Sequence, residues 1–347
     1  MCIRDSSPTE VRRAAAAVGF DEEQLRQYAY KPLDVRWLYW EPTGGLLDRG
    51  RPEYVPHVDG LARWLEVRQR EPKESFDRGN VCTVLADQMG NGMSSFFPET
   101  LSSQEGTLDD PGERRPNLSP GGARFLGTRP VSALFSHAVA VLHAPGYRQA
   151  NRAALVSDWP RIPLPGTNRA LDASATLGAA VATLLDPLAL FSGGPPVGTL
   201  SATSGTLDPS KDLAVTARWG IAGKGGITMP STGRLTERPY TDDERKAIAG
   251  HAVTLGMSGE QAVELLGEMC FDVYLNNVAY WRCVPANVWR YTIGGYQVIK
   301  KWLSYRERRV LGRDLRREEA RHVTAMVRRI AGIVLLQPRL PFLEGTD

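Results

Sequence analysis

Cysteine is scarce in this sequence, and the four residues present, Cys2, Cys82, Cys270 and Cys283, stand far apart in 347. No two form a C-x-x-C pair and no histidine sits at zinc-ligand spacing from any of them. A disulfide framework and a structural zinc site therefore have no support, and buried free thiols in a reducing cytoplasm are expected, with no metal. Long apolar runs are missing as well. The longest, Ala179–Phe191, is broken by Asp186 and Pro187, short of the roughly 18 to 20 apolar residues a membrane helix needs. No secretory signal opens the chain, so a cytoplasmic protein with no membrane partner is expected.

The patterns that announce chemistry are absent too. There is no Gly-x-Ser-x-Gly elbow, and His57, His137, His143, His251 and His322 show neither H-E-x-x-H nor triad-like spacing. Holding a flipped-out base amine calls for an Asn/Asp-Pro-Pro-aromatic turn; Pro195-Pro196 lies between Gly194 and Val197 and does not qualify. Gly220–Gly226 misses the phosphate-loop spacing and reads as a Gly-rich hairpin. Asp59 with Glu71-Pro72-Lys73 imitates a metal-nuclease triad, but Pro72 stands where a strand should run, so a surface turn is expected. A chain this long without a recognisable site reads as a binding piece, with no catalytic residue and no cofactor of its own.

What is present is ordinary globular composition, 42% hydrophobic and 23% charged, with an uneven charge. Residues 281–330 hold thirteen Lys or Arg against four acids, a local +9 in a chain of net +3. Such a cluster is the footprint of a polyanion partner, or alternatively a solvated helix face with local ion pairs. Length suggests two lobes: 7–191, then a Gly/Ser/Thr/Pro-rich linker or long loop at 192–212, then 213–347 carrying the basic surface.

Coarse periodicity gives an α+β chain with a helical C-terminal end. Helices are expected over Thr9–Val18, from Asp21 to about Tyr28, over Ser132–Leu142 and over Tyr147–Val156. Further helices are expected near 242–255, 259–269, 295–304 and 316–336. Strands are expected after Pro32, within 80–98, within 213–226 and across 271–293, with a loop over 101–120. Met1–Ser6 resembles a translated sequencing adaptor, so the chain is expected to be a fragment whose natural sequence continues upstream.

Three blocks carry a resemblance. Tyr30-Lys-Pro-Leu-Asp-Val-Arg36 resembles the Y-x-R-P-F-D-x-R turn that follows the methyltransferase core in type ISP and type IIG restriction–modification enzymes. Ala140–Arg148, continuing to Asp158-Trp-Pro-Arg-Ile-Pro163, is similar to that family's AVLHSPxYRxxY…DFPRIP block. Val288–Leu303 is similar to its VWxYxIGGYQVLxKWL signature. Lys31 and Leu33 depart from the usual Arg and Phe, and Ala150-Asn151 falls where an aromatic is common.

The resemblance implies the C-terminal specificity region: a two-lobed α+β target-recognition domain binding duplex DNA. It would position an adenine for methylation by a methyltransferase outside this chain, with S-adenosylmethionine as donor there and helicase or nuclease parts in the same parent polypeptide. Arg36, Arg161, Arg290, Lys300, Lys301, Arg306, Arg308 and Arg309 are its DNA-binding candidates. Gly294 and Gly295 would give close backbone approach to phosphate before a helix N-terminus. For the last block the alternative is packing, with Tyr296, Ile299, Trp302 and Leu303 as an apolar stripe; for Pro160–Pro163 it is a rigid turn. Two other readings stay open for the whole chain: a complete DNA-modifying enzyme with an unrecognised site, and a basic protein-interaction module.

Overall fold

The computed structural model describes residues 13, 15–17, 19–41, 47–48, 51–60, 62–72, 76–88, 92–102, 113–223 and 228–341, and the backbone of 2–3. Of Met1–Ser6 and of the first expected helix, most lies outside the described residues; 13 and 15–17 are helical. The elements are mixed helix and strand, an α+β chain ending in a long helix. Its contacts divide it into two units, 1–189 with 338–347, and 190–337.

The first unit opens on a correction. Asp21 caps as expected, accepting the Glu23 N–H at 3.0 Å, yet only one 3-10 turn forms over Glu22–Gln24. The chain then runs as strand β1 (Leu25–Lys31), hairpinned onto β2 (Asp34–Tyr39). Pairing and the burial of Tyr28 and Ala29 outweigh local helix preference. At the turn, Pro32 precedes Leu33, whose φ of 57° is left-handed. That conformation costs a branched residue about 1–2 kcal/mol, offset here because the Leu33 side chain is fully buried.

Four more strands follow: β3 (Trp64–Val67), β4 (Val81–Cys82), β5 (Leu85–Ala86) and β6 (Ser95–Pro98). They make two small sheets, β2-β1-β5 with β5 parallel to β1, and β4-β3-β6 antiparallel. The expected 101–120 loop is partly strand, since Thr100–Ser102 pairs with Arg114–Pro116. Helix α1 (Val131–His143) matches its apolar pattern. Helix α2 (Asn168–Leu185), which the sequence reading passed over, starts at Thr167, whose hydroxyl accepts the Ala170 N–H. The two helices cross at Gly178, where a Cβ would lie 1.7 Å from the Ser136 carbonyl oxygen. Close helix contact therefore requires glycine there. The expected helix over 147–156 is broken in two at Asn151.

An ion network lies inside this unit. Arg78 donates to Glu71 at 2.6 Å, to Glu66 at 3.1 Å and to Ser94 at 3.3 Å, and the Ser94 hydroxyl also bonds Glu66. All four side chains are buried. The network ties β3 to the 71–80 segment, which in turn meets α1: His143 Nε2 donates to the Gly79 carbonyl at 2.9 Å. Burial, helped by Arg148, pushes the His143 imidazole down to about 3.

In the second unit the stretch 192–212 contributes a strand, β7 (Thr199–Ala202). With β8 (Leu235–Pro239), β9 (Met269–Tyr274) and β10 (Ala279–Pro285) it forms an antiparallel sheet ordered β7-β10-β9-β8. Helices α3 (Asp242–Thr254) and α4 (Gly259–Leu266) open on the two capping boxes read from sequence, at Thr241/Glu244 and Ser258/Gln261. After α5 (Val298–Arg306), α6 (Arg317–Leu336) buries Val323, Met326, Val327, Ile330, Ile333 and Val334, the face its periodicity gave. Leu213–Thr216, expected as strand, is irregular; the strand there is Gly220–Ala222. No single described helix is long and apolar enough to cross a membrane.

Two stability measurements follow from the buried polar groups. Arg78→Met strands two buried carboxylates and should cost roughly 3–5 kcal/mol, whereas replacing Arg78, Glu66 and Glu71 together by apolar residues should cost much less. Urea unfolding of both variants measures this, and a single-variant loss below about 1 kcal/mol contradicts it. His143 is neutral in folded and unfolded chains above pH 6.5, so it gives no slope there. As pH falls below 6.5 the unfolded chain takes up a proton that the folded site refuses until about 3, so stability should fall with acidification across that window. The slope from this residue is roughly 1.4 kcal/mol per pH unit; His143→Gln should flatten the acid limb of a stability–pH curve while lowering stability at neutral pH.

Candidate nucleic-acid interface

The first sequence block folds into a closed cluster on the β1–β2 hairpin. The Arg36 guanidinium lies 3.9 Å from the Tyr30 ring centroid and donates to Asp34 at 2.9 Å. Tyr30, Asp34 and Arg36 thus hold one another, and Arg36 is engaged rather than projecting.

The second block is a lock of the same kind. Arg148 donates to the Leu142 carbonyl at 2.5 Å and to the Arg78 carbonyl at 3.3 Å, and the Tyr147 hydroxyl donates to the Arg161 carbonyl at 2.8 Å. The two halves of the block are therefore bonded to each other. Within α1, His137 sits between the Ser174 hydroxyl at 2.6 Å and the Pro163 carbonyl at 2.9 Å, and burial lowers its pKa. Two residues of the block reach the surface. The Arg161 side chain is 90% exposed, with only Asp158 at 3.6 Å, and Trp159 is partly exposed beside Phe97.

The third block folds as a hairpin that runs into a helix. Gly294 and Gly295, with φ of 62° and 74°, are the two turn residues of a hairpin joining Thr292–Ile293 to Tyr296–Gln297. Positive φ at both positions is what a two-residue hairpin turn demands, and α5 starts only at Val298. The glycines shape the turn that precedes the helix, whose start lies three residues later than the sequence pattern gave. Ile299, Trp302 and Leu303 are buried as the packing alternative expected, while Tyr296 is exposed on the hairpin.

The basic stretch is largely spent inside its own unit. Arg306 is buried with its guanidinium 4.1 Å from the Trp302 centroid. Lys301 lies 4.9 Å from the Tyr296 and Tyr305 centroids, and its burial lowers its pKa. Arg309 donates to the Gly220 carbonyl at 2.6 Å, Arg328 to Val197, and Arg329 is buried against Phe191. Arg282, Arg308 and Arg313 pair with Glu244, Asp314 and Glu319. Arg290 lies 3.8 Å from Glu237 with most of its side chain exposed. Lys300, Arg317 and Arg321 make no ion pair among the described residues, and the last two are exposed. Arg317 and Arg321 are counted in the charge but are not among the DNA-binding candidates read from the sequence. Their four-residue spacing, off the apolar face of α6, was the available signal.

Other clusters resolve into structure. Glu71, expected in a surface turn, is buried on Arg78, and Asp59 pairs with Arg26 at 3.3 Å, so the nuclease-like pattern is dispersed; Lys73 lies outside the described residues. Gly220–Ala222 pairs with Thr228–Pro230 as a hairpin whose tip, 224–227, is outside them too. Cys270, Cys283 and Glu244 place ligand atoms within 4.8 Å of one another. However, both Glu244 oxygens are taken by the fork of Arg238, by Arg282 and by the Thr241 N–H. Burial works against that carboxylate's charge, yet these donors hold it down at about 2. The Cys283 thiol bonds Cys270, which that bond and Arg238 keep below the usual thiol range.

One concave feature stands out in the first unit, a cleft of about 810 Å³. Trp40, Trp64 and Phe96 line its interior, and Tyr54, Phe97 and Trp159 its exposed rim.

No curated protein sequence matches the chain. Among solved structures it is similar to the DrdV–DNA complex (TM-score 0.58, 15% identity, 92% of this chain and 28% of that one). It is also similar to a nuclease-deletion mutant of the type ISP restriction–modification enzyme LlaGI with a DNA substrate mimic (0.57, 13%, 95% and 26%). A third is the ATP-dependent type ISP enzyme LlaBIII bound to DNA (0.59, 12%, 98% and 20%). At these identities the likeness is one of fold, and the chain spans 20–28% of the length of those proteins. The model of the type ISP C-terminal specificity domain matches residues 4–185 and 260–329, so the chain belongs to that family.

Proposed function

We propose that this chain is the sequence-reading module of a restriction–modification enzyme, which binds duplex DNA and positions a target adenine for methylation. The methyltransferase, with S-adenosylmethionine as its methyl donor, and the helicase and nuclease parts belong to the rest of the parent polypeptide. The observation that carries this reading is the match to a specificity domain over both units. The fold shared with three proteins, each described in complex with DNA or a DNA mimic, supports it.

The physical division of labour is unusual for so basic a sequence. Phosphate contacts need cations that are not already bonded, and most of the 281–330 cluster is. The positive charge still available includes Lys300, Arg317 and Arg321 in the second unit and Arg161 and Arg115 in the first. Arg161 keeps only an exposed pair with Asp158, the weakest class of ion pair. Arg36, Lys301, Arg306 and Arg309 act as internal braces that hold the presenting surfaces in shape.

Binding of a labelled duplex carrying the selected recognition sequence should weaken steeply with salt, by about 0.9 log units of affinity per log unit of salt for each phosphate contact. Combining Lys300→Glu, Arg317→Glu and Arg321→Glu should flatten that slope by about 2 to 3 with the fold intact. Arg306→Ala should instead lower the melting temperature. Anisotropy titrations at several salt concentrations, with a melting curve for each variant, check both. A salt-independent affinity sinks the DNA reading.

A further inference from the structure

The aromatic cleft of the first unit is not used by anything described so far. Six rings face it: Trp40, Tyr54, Trp64, Phe96, Phe97 and Trp159. Its volume of about 810 Å³ lies in the range of small-molecule sites, about 300–1,000 Å³. Two edge-to-face pairs set its walls, Trp64 with Phe96 (4.8 Å, 79°) and Phe97 with Trp159 (5.8 Å, 86°). An edge-to-face pair satisfies one face of a ring and leaves others open to stacking. The rim rings are the ones left uncovered: Phe97 is 43% exposed, Trp159 37% and Tyr54 52%. Three large exposed rings around one concavity form a platform without an occupant among the described residues.

The polar lining narrows the choice of ligand. Gln88 is exposed in the cleft and offers both amide donors and an acceptor, the set that pairs with an adenine edge. His57 accepts the Ser102 N–H at Nδ1 (3.1 Å), while burial and then Arg114 and Arg115 lower its pKa, so it stands there as a neutral imidazole. Arg51 lies 3.4 Å from Glu53, which leaves that acid balanced and removes the net negative charge a cationic ligand would want. Arg115 is exposed, close enough to His57 to act on it, and has no ion pair among the described residues. Stacking faces and a neutral edge reader, with the Arg115 cation near His57, describe a base with its flanking phosphate.

We propose that this cleft receives one unstacked nucleobase of the bound DNA, stacked on Trp159 and Phe97 and read at its edge by Gln88. Trp159 belongs to the Asp158–Pro163 block, and the Tyr147–Arg161 bond anchors that block's backbone behind the ring. The β4-β3-β6 sheet, held from beneath by Arg78 through Ser94 and Glu66, supplies Trp64, Phe96 and Phe97. The platform is therefore mounted on a sheet and a turn that are each braced by hydrogen bonds. The inference rests on the DNA reading above.

The test compares two labelled duplexes of one sequence, fully paired or carrying a single unpaired adenine, binding to the full chain. Wild type should prefer the bulged duplex by about tenfold, within the range of one base–aromatic stack. Trp159→Ala should abolish the preference while leaving affinity for the paired duplex within about twofold, and Trp159→Phe should retain most of it. Gln88→Ala, remote from the core, should reduce the preference and serves if Trp159→Ala melts early. Equal affinity of wild type for the two duplexes, or a preference that survives in folded Trp159→Ala and Gln88→Ala, overturns the proposal while the DNA reading stands. Absence of binding to either duplex overturns both. A third arm titrates adenosine monophosphate alone: saturable quenching of tryptophan fluorescence without any bulge preference would assign the cleft to a free nucleotide and overturn the DNA source.

Discussion

Each unit of this chain is organised around an arginine forked between two carboxylates. In the first, Arg78 bridges Glu66 and Glu71; in the second, Arg238 bridges Glu244 and Asp272 at 2.8–3.0 Å. A guanidinium presents planar, paired donors, so it can join two strands or a strand and a helix with fixed geometry where a lysine could not. The Arg78 network is fully buried, which makes it costly to break and poor as a source of net stability. Its value is positional. It sets the distance between β3 and the loop that meets α1, and with it the walls of the aromatic cleft.

The same use of arginine recasts the charge of the sequence. Residues 281–330 look like a polyanion-binding surface when counted, but the structure turns most of those cations inward, onto Trp302, Phe191, backbone carbonyls and acids. Net local charge survives, since four acids leave thirteen cations at +9, so the long-range field stays positive and favours a polyanion. Short-range contact falls to fewer groups. On the proposed reading, steering falls to the whole cluster, and close contact to the cations without an ion pair among the described residues, Lys300, Arg317 and Arg321 among them.

The family blocks illustrate how a functional signature can be mostly architecture. Tyr30, Asp34 and Arg36 bond one another; His143, Tyr147 and Arg148 fasten α1 to two neighbouring segments. Gly294-Gly295 makes a tight hairpin. What each block presents outward is small: Arg161 and Trp159 from the second, Arg290, Tyr296 and the half-buried Lys300 from the third. Sequence choice by a DNA-reading domain depends on a few side chains, so a scaffold that spends most of its motif on rigidity is the expected economy.

By itself the sequence determined the mixed helix and strand content, the capping boxes of α3 and α4, the buried face of α6 and the family. Each of these is a local pattern: a cap spans four residues, a helical stripe repeats every three or four, and a motif block is contiguous. Tertiary structure alone decided that Leu25–Lys31 is a strand despite its helix-like entry, because its partner β2 and the burial of Tyr28 outweigh the local signal. It decided that Gly178 marks a helix crossing, and that Glu71 is buried on Arg78 instead of facing water. It also gathered the cleft, whose rings come from 40, 54, 64, 96, 97 and 159. No periodicity links those positions; only the pairing of strands and the anchored Asp158–Pro163 turn brings them to one place.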